Sequence, residues 1–380
     1  MEQDTMKFDV LIIGAGPSGL SAAIKLKQLA LEAQQEISIC ILEKGAQVGS
    51  HILAGAVLEP ESLRELLPKS WKKAPLDTPV THDLFYFMTQ NKSYKLPTPK
   101  TLHNHGNFII SLEELCKFLA EQAEQLGCEI YPGFAAQEIV YNHHNQVIGV
   151  TTGSVGIDKH GVKTANYQPG MRLLAKQTLF AEGCRGQLSQ VLMARYHLRD
   201  NSQPQTYGLG IKELWAVKEA NHAPGTVVHT VGWPMDNATY GGSFLYHFSK
   251  QRVAIGFVVG LDYKNPWLSP FEEFQRFKTH PLISSVLQGG ERLCYGARAI
   301  NEGGWQSLPK LSFPGGALIG DAAGFLNVPK IKGIHTAMQS GMLAAQACFE
   351  VLDKTTDTQL EIKNYAHQSK LADELHTVRN

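Results

Sequence analysis

The stretch Phe8-Asp-Val-Leu-Ile-Ile-Gly-Ala-Gly-Pro-Ser-Gly-Leu20 constrains the fold most, because a short apolar run passes straight into glycines spaced G-x-G-x-x-G. Val10 to Ile13 lack the alternation of a half-exposed strand and read as a central parallel strand covered on both faces. Gly14 permits the sharp bend, Gly16 lets backbone approach a pyrophosphate, and Gly19 lets the next helix pack close to the strand. The helix opening near Pro17 and Ser18 points unpaired N–H groups and its positive end at the turn, where an anion belongs. An ordinary tight turn has the same glycines, so the surroundings decide. Ile37 to Leu42 reads as a second buried strand, ending in Glu43 and Lys44. A carboxylate there accepts both hydroxyls of an adenosine ribose and repels a 2′-phosphate.

With 380 residues the chain exceeds the usual size of a single core, so two closely packed domains are expected. Lys plus Arg and Asp plus Glu both number 35, which leaves no global field to attract nucleic acid or an anionic membrane. The six cysteines, at 40, 116, 128, 184, 294 and 348, form no C-x-x-C pair, so neither zinc nor an iron–sulfur cluster finds a ligand set here. Cys40 falls in an apolar strand pattern and reads as a small core residue. The acidic N-terminus enters the first strand by residue 8, leaving no room for a signal or transit segment. No apolar run approaches the roughly 20 residues that span a bilayer, although surface attachment stays open.

Further along, Lys44 to Ala56 is a glycine-punctuated loop long enough to wrap a bulky ligand. Asp83 to Met88 and Ser93 to Leu96 read as an aromatic-rich hairpin, either a core strand pair or an apolar ledge toward a membrane. Ser111 to Leu126 is an amphipathic helix with a capping box at Ser111 and Glu114. Residues 143–172 read as an antiparallel meander, and Leu173 to Phe180 as a strand delivering the turn at Gly183. Between Pro204 and Pro309 period-two strands dominate, with one helix over 269–278. Leu311 to Ile319 returns to the first sheet and ends in Gly320-Asp321, and Ile334 to Val351 forms the helix after Gly333.

A glycine turn at 14–19 and a strand ending in Asp321 need one explanation. A nicotinamide dinucleotide requires only the first. FAD adds a ribityl chain whose hydroxyls want an acceptor such as Asp321, and an isoalloxazine whose N1–O2 edge is stabilised by a helix N-terminus near Gly333. The arrangement resembles the flavoproteins that include aromatic hydroxylases and glutathione-reductase-like enzymes. No acid–base or nucleophile constellation accompanies it, and of the histidines only His247 and His335 invite attention. Tyr240-Gly241-Gly242 offers backbone N–H groups and close approach to a flat ring, with Phe244 and Tyr246 adding apolar area, although a β-bulge would explain the same glycines.

The strings Asn104–Asn107, Thr230–Pro234, Thr239–His247, Gly260–Tyr263, Ala297–Gly304 and Asn327–Gly333 resemble the electron transfer flavoprotein–ubiquinone oxidoreductases, from about residue 8 to 380. The resemblance implies an α/β fold: a Rossmann-like FAD-binding domain of the glutathione-reductase/aromatic-hydroxylase type with an inserted, mostly antiparallel α+β domain. The FAD-binding domain would be discontinuous, over 1–75, 103–200 and 313–352; the quinone-binding domain would take 76–102 and 204–312, and a helical segment would follow over 353–380. Gly14, Gly16, Ser18, Gly19, Glu43, Lys44, Gly183, Asp321 and Gly333 would line FAD, with Ala136 at the adenine, and backbone at Gly241 and Gly242 would meet a quinone carbonyl. The implied enzyme is an electron-transferring-flavoprotein dehydrogenase that takes electrons from electron transfer flavoprotein to ubiquinone. It would sit as a peripheral protein on the cytoplasmic face of a bacterial inner membrane, with no nucleic-acid partner. The family continues into a membrane-contacting helix and a domain with a four-cysteine [4Fe-4S] cluster, whereas this sequence stops at Asn380. The expectation is therefore a fragment without the cluster, or a piece working with a separate ferredoxin subunit. An NAD(P)H-dependent FAD monooxygenase and a quinone-binding flavoprotein without turnover are the competing functions.

Overall fold

The computed structural model describes residues 4–352, 362 and 364–379. Of the segment 353–380, residues 353–361, 363 and 380 lie outside the described residues, and the helix Lys370–Thr377 occupies much of the remainder.

The apolar run forms the strand Thr5–Ile13, in which Val10, Leu11 and Ile12 are completely buried. It pairs in parallel with Arg172–Phe180 on one side and Ile39–Glu43 on the other, and Ile39–Glu43 pairs in parallel with Glu129–Pro132. Gly316–Leu318 extends the sheet in parallel, and Ser312–Phe313 closes that edge antiparallel. Burial on both faces is what a continuous run of branched side chains, without alternation, requires. One cover is the helix Pro17–Glu32, which packs against the helix Ile334–Leu352. Their approach depends on Gly341, where a Cβ would lie 2.2 Å from the Ser18 carbonyl oxygen. The residues expected to form one meander at 143–172 divide instead. Val147–Thr152 joins the first sheet, whereas Val155–Ile157 and Lys163–Gln168 form a separate hairpin whose second strand is largely exposed.

The second sheet has seven strands in the order Glu291–Asn301, Tyr207–Ala216, Arg252–Gly260, Gly241–Phe248, Thr226–Gly232, His82–Met88, Ser93–Leu96. In its central strand Arg252–Gly260 successive side chains divide between two buried faces. Val253, Ile255, Phe257 and Val259 point to one face, where Phe274, Phe277 and Ile283 cover them from the helices Pro270–Thr279 and Pro281–Leu287. The second of these helices was not expected from the sequence; it begins where His280 Nδ1 accepts the Leu282 N–H and Pro281 supplies a preset backbone. The opposite face carries Ala254, Leu214, Val227 and Tyr246, packed on Ala54 and on Val57 and Ile109 from the antiparallel strands Ala56–Leu58 and Phe108–Ile110.

Candidate functional site

The C-terminal end of the Thr5–Ile13 strand turns at Gly14, whose φ of +111° excludes other side chains. A Cβ there would meet the Ala181 carbonyl oxygen at 2.5 Å, and one at Gly19 would meet the Gly14 oxygen at 2.1 Å. At Gly16, the residue that caps the helix, a Cβ would find nothing within 4 Å. Gly14 and Gly19 therefore serve the fit of protein to protein, and Gly16 leaves backbone open toward a ligand. Glu43 lies beside the turn: its Oε2 accepts the Ala15 N–H at 3.0 Å and its Oε1 the Gly45 N–H at 2.7 Å. These two bonds fix the carboxylate, and each oxygen keeps a lone pair for a hydroxyl. Ala136, half-buried, follows Phe134, whose N–H bonds the Glu43 carbonyl oxygen at 3.1 Å. Lys44 is exposed.

The residues around 320, three hundred positions away, reach the same turn. Ser18 is buried, and a Cβ on Gly320 would lie 2.4 Å from its Oγ, so the two glycine segments are in contact. Asp321 follows. Asn301 Nδ2 donates to its carbonyl oxygen at 2.6 Å and to its Oδ1 at 3.3 Å, while Cys184 Sγ donates to Asn301 Oδ1 at 3.2 Å. Burial raises the Asp321 carboxyl to about 6, against the lowering pull of Asn301 and Arg298. Gly183 has φ +79° and a Cβ there would touch nothing. Gly333 packs on Leu326 and immediately precedes the helix Ile334–Leu352. The open cradle at Gly16, the oriented Glu43 and the enclosed Asp321 fit FAD.

Gly241 and Gly242 begin a strand that pairs with Arg252–Gly260 without a register break, from Gly241↔Val259 to Phe248↔Arg252. The bulge explanation of these glycines therefore fails. Directly paired residues share a face, so the pairs Gly208↔Gly260, Gly210↔Val258, Lys212↔Gly256, Gly242↔Val258 and Lys212↔Gly296 place six glycines on the face that carries Ala254 and Leu214. Phe244 lies over Gly256 and Tyr240 over Gly260. The result is a glycine floor turned toward the first layer and partly covered by Phe244 and Tyr240, which no single segment of sequence displays.

Lys212 and Arg298 tie this floor to the loop after Glu43. Lys212 Nζ donates to the Leu53 and Gly55 oxygens at 3.3 and 3.0 Å, and an Arg298 nitrogen donates to the His51 oxygen at 2.7 Å. Burial, with Arg298 next, lowers Lys212 to about 8. Neither residue stood out in the sequence, because the loop carbonyls they bond lie 157 to 247 positions away along the chain.

The two watched histidines are held by protein. His247 Nδ1 accepts the Ala223 N–H at 3.1 Å, and burial, followed by His222, lowers it to about 4. His335 Nε2 sits 2.9 Å from Glu374 Oε1. Burial works to raise Glu374, but His335, Lys330 and Asn327 hold it at about 2. Among the described residues no group of three or more His, Cys, Asp or Glu is placed to hold a metal ion, and no helix is long and apolar enough to cross a membrane.

Residues 7–167 match the sequence profile of an FAD binding domain, and residues 207–300 that of the ETF-QO ubiquinone-binding domain. Electron transfer flavoprotein–ubiquinone oxidoreductase of Pseudomonas aeruginosa is 54% identical over 390 residues, covering 100% of this chain and 71% of the relative. The chain belongs to the electron transfer flavoprotein–ubiquinone oxidoreductase family. Within the family, the mitochondrial oxidoreductases of Oryza sativa and Homo sapiens are each 51% identical over the whole of this chain, which covers 66% and 64% of their lengths. Among solved structures, a geranylgeranyl bacteriochlorophyll reductase-like protein of Thermoplasma acidophilum superposes with a TM-score of 0.69 at 18% identity, over 98% of this chain and 83% of its own. A flavin-dependent brominase does so with a TM-score of 0.61 at 17% identity, over 91% and 80%. These two share the α/β fold.

Proposed function

We propose that this chain binds FAD and carries electrons from reduced electron transfer flavoprotein toward ubiquinone, as the names of its relatives describe. The observation that carries the reading is the junction of two glycine surfaces. The turn at Gly16, with Glu43 and Asp321 beside it, takes a dinucleotide, and the floor around Gly242 takes a flat ring opposite. In this reading Gly14, Gly16, Ser18 and Gly19 shape the pyrophosphate site, and Glu43 accepts the adenosine ribose hydroxyls next to Lys44 and Ala136. Gly183 and Asp321 line the ribityl chain, and the helix after Gly333 faces the flavin pyrimidine edge. FAD, when bound, supplies the two-electron chemistry. The protein orients it, excludes water through the loop held by Lys212 and Arg298, and presents Gly241 and Gly242 backbone to a quinone oxygen. The segments 1–75, 103–200 and 313–352 form the FAD unit, and 76–102 with 204–312 the quinone unit.

The hairpin His82–Met88/Ser93–Leu96 lies at the edge of the second sheet, with Phe87, Tyr94 and Leu96 at 38%, 51% and 38% exposure. That apolar edge suits peripheral attachment to a membrane that holds the quinone, and in a bacterial cell to the cytoplasmic face of the inner membrane. The test is single-turnover. Flavin bound to the purified chain is reduced by light without oxygen and mixed with a short-tailed ubiquinone. Rapid reoxidation is expected; absence of bound flavin, or NADPH consumption stimulated by an aromatic substrate in place of quinone reduction, would overturn the reading.

A further inference from the structure

We propose that Glu302 is the side chain that delivers a proton to the quinone, an inference that rests on the quinone-binding reading above. The geometry starts from the pair Gly208↔Gly260, neighbours across two strands at about 5 Å. The Glu302 carboxyl lies over Gly208, where a Cβ would come within 2.6 Å of its Oε1, and the Tyr240 ring lies over Gly260, where a Cβ would come within 3.2 Å of its Cδ1. Two missing side chains thus make a recess that Glu302 and Tyr240 fill side by side. Gly242 is two residues beyond Tyr240 on the same face. On its other side Glu302 follows Asn301, the residue bonded to Asp321. It is therefore the next residue after the one that bonds the flavin's proposed acceptor, and it lies on the sheet face that carries Gly242.

Glu302 Oε2 is buried without a hydrogen-bond partner, as is Gln205 Nε2 nearby, whose Oε1 accepts the Gly303 N–H at 2.6 Å. A buried carboxylate oxygen left without a partner marks a place where a polar ligand atom is expected. The charged and titratable groups facing Glu302 are Asp262, Tyr240 and Cys184. Burial, then Asp262, raises the Glu302 carboxyl to about 7, so it holds a proton where an ordinary glutamate has lost it. Burial and Glu302 also raise Tyr240, and burial, with Asp321 next, takes Cys184 to about 12, which leaves both poor donors at neutral pH.

The chemistry needs such a group. Quinone takes two electrons and two protons to become quinol. Bound FAD would supply both electrons and one of the protons, and the second would come from a side chain of this protein. One O–H bond breaks at Glu302 and one forms at a quinone oxygen, and the carboxylate regains a proton from solvent past the exposed Asp262.

The test uses the FAD-loaded chain, Glu302→Gln and Glu302→Asp. Infrared spectroscopy of the wild type should show a protonated carboxyl that disappears as pH rises through about 7, absent from Glu302→Gln; a wild type without it overturns the assignment, whatever the variants do. In single-turnover reoxidation by a short-tailed ubiquinone, Glu302→Gln should be slower by about 10²-fold with no pH dependence in that window, while flavin content and quinone Kd stay within about twofold. Glu302→Asp should recover part of the rate and of the pH dependence. A Glu302→Gln rate and pH profile equal to wild type overturns the proposal while leaving quinone reduction intact. Failure of the wild type to be reoxidised removes the quinone reading and this inference together.

Discussion

Gly14 and Gly19 of the 14–19 turn and Gly210 of the second sheet belong to regions joined through Ser18, Gly320, Asp321 and Asn301, yet they are glycine for opposite reasons. In the turn, glycine prevents a collision inside the protein: φ is +111° at Gly14, and Gly19 stands against backbone that has no freedom to retreat. In the sheet, Gly210 occupies a regular ladder position where a Cβ would have no neighbour closer than 3.7 Å. Nothing internal demands glycine there. A strand interior loses roughly 0.5–1 kcal/mol by using glycine in place of alanine, so its presence points to something that approaches the floor from outside. A glycine that is required and a glycine that is merely tolerated thus look alike in sequence and part company in structure.

This contrast can be broken from either side. Gly19→Val should give the largest effect, about 3 kcal/mol or more of destabilisation with loss of bound flavin, read by thermal unfolding and flavin absorption. The two regions should next differ in the sign of their pH response. Burial is the leading cause that lowers His229 and His247 to about 4, so their contribution is complete above the ordinary histidine value and fades as pH falls toward 4, by about 2–3 kcal/mol each. Asp321 is raised, so its contribution is full below the ordinary carboxylate value and is lost as pH rises through about 6. Hydrogen exchange at pH 4.5 and 7.5 should accordingly weaken protection of the second sheet at the lower value and of the Gly320–Asn301 contact at the higher. Glu43→Gln should then weaken FAD binding by about tenfold or more by titration calorimetry, since one charged acceptor is lost. Gly210→Val should leave the thermal midpoint and flavin content near wild type while raising the quinone KM by about tenfold. A falling midpoint with unchanged KM would make Gly210 structural and erase the contrast.

What was legible in the sequence follows the same division. Gly14, Gly16 and Gly19 were readable because they fall within one short turn after an apolar run, and Glu43 and Asp321 because each follows an apolar strand, although Gly14 packs on Ala181 and Glu43 bonds Ala15. Glu302, Lys212 and Arg298 were not, although Arg298 and Glu302 lie within the string 297–304 that carried the resemblance. Their partners, Gly208, Gly55 and His51, are fixed by strand register and loop docking across long sequence separations. The strand Glu291–Asn301, which carries Arg298 and leads into Glu302, escaped notice for a related reason. As an edge strand exposed over much of its length, it carries no alternation of buried and exposed side chains.

The hairpin at 82–96 has one further consequence, for how the chain is made. Its strand His82–Met88 pairs with Ser93–Leu96 on one edge and in parallel with Thr226–Gly232 on the other, so this second edge stays unpaired until the ribosome has passed residue 232. At roughly 5–20 residues per second, this edge waits on the order of ten seconds for its partner. Aggregation, and the chaperones that prevent it, compete for the nascent chain during that interval.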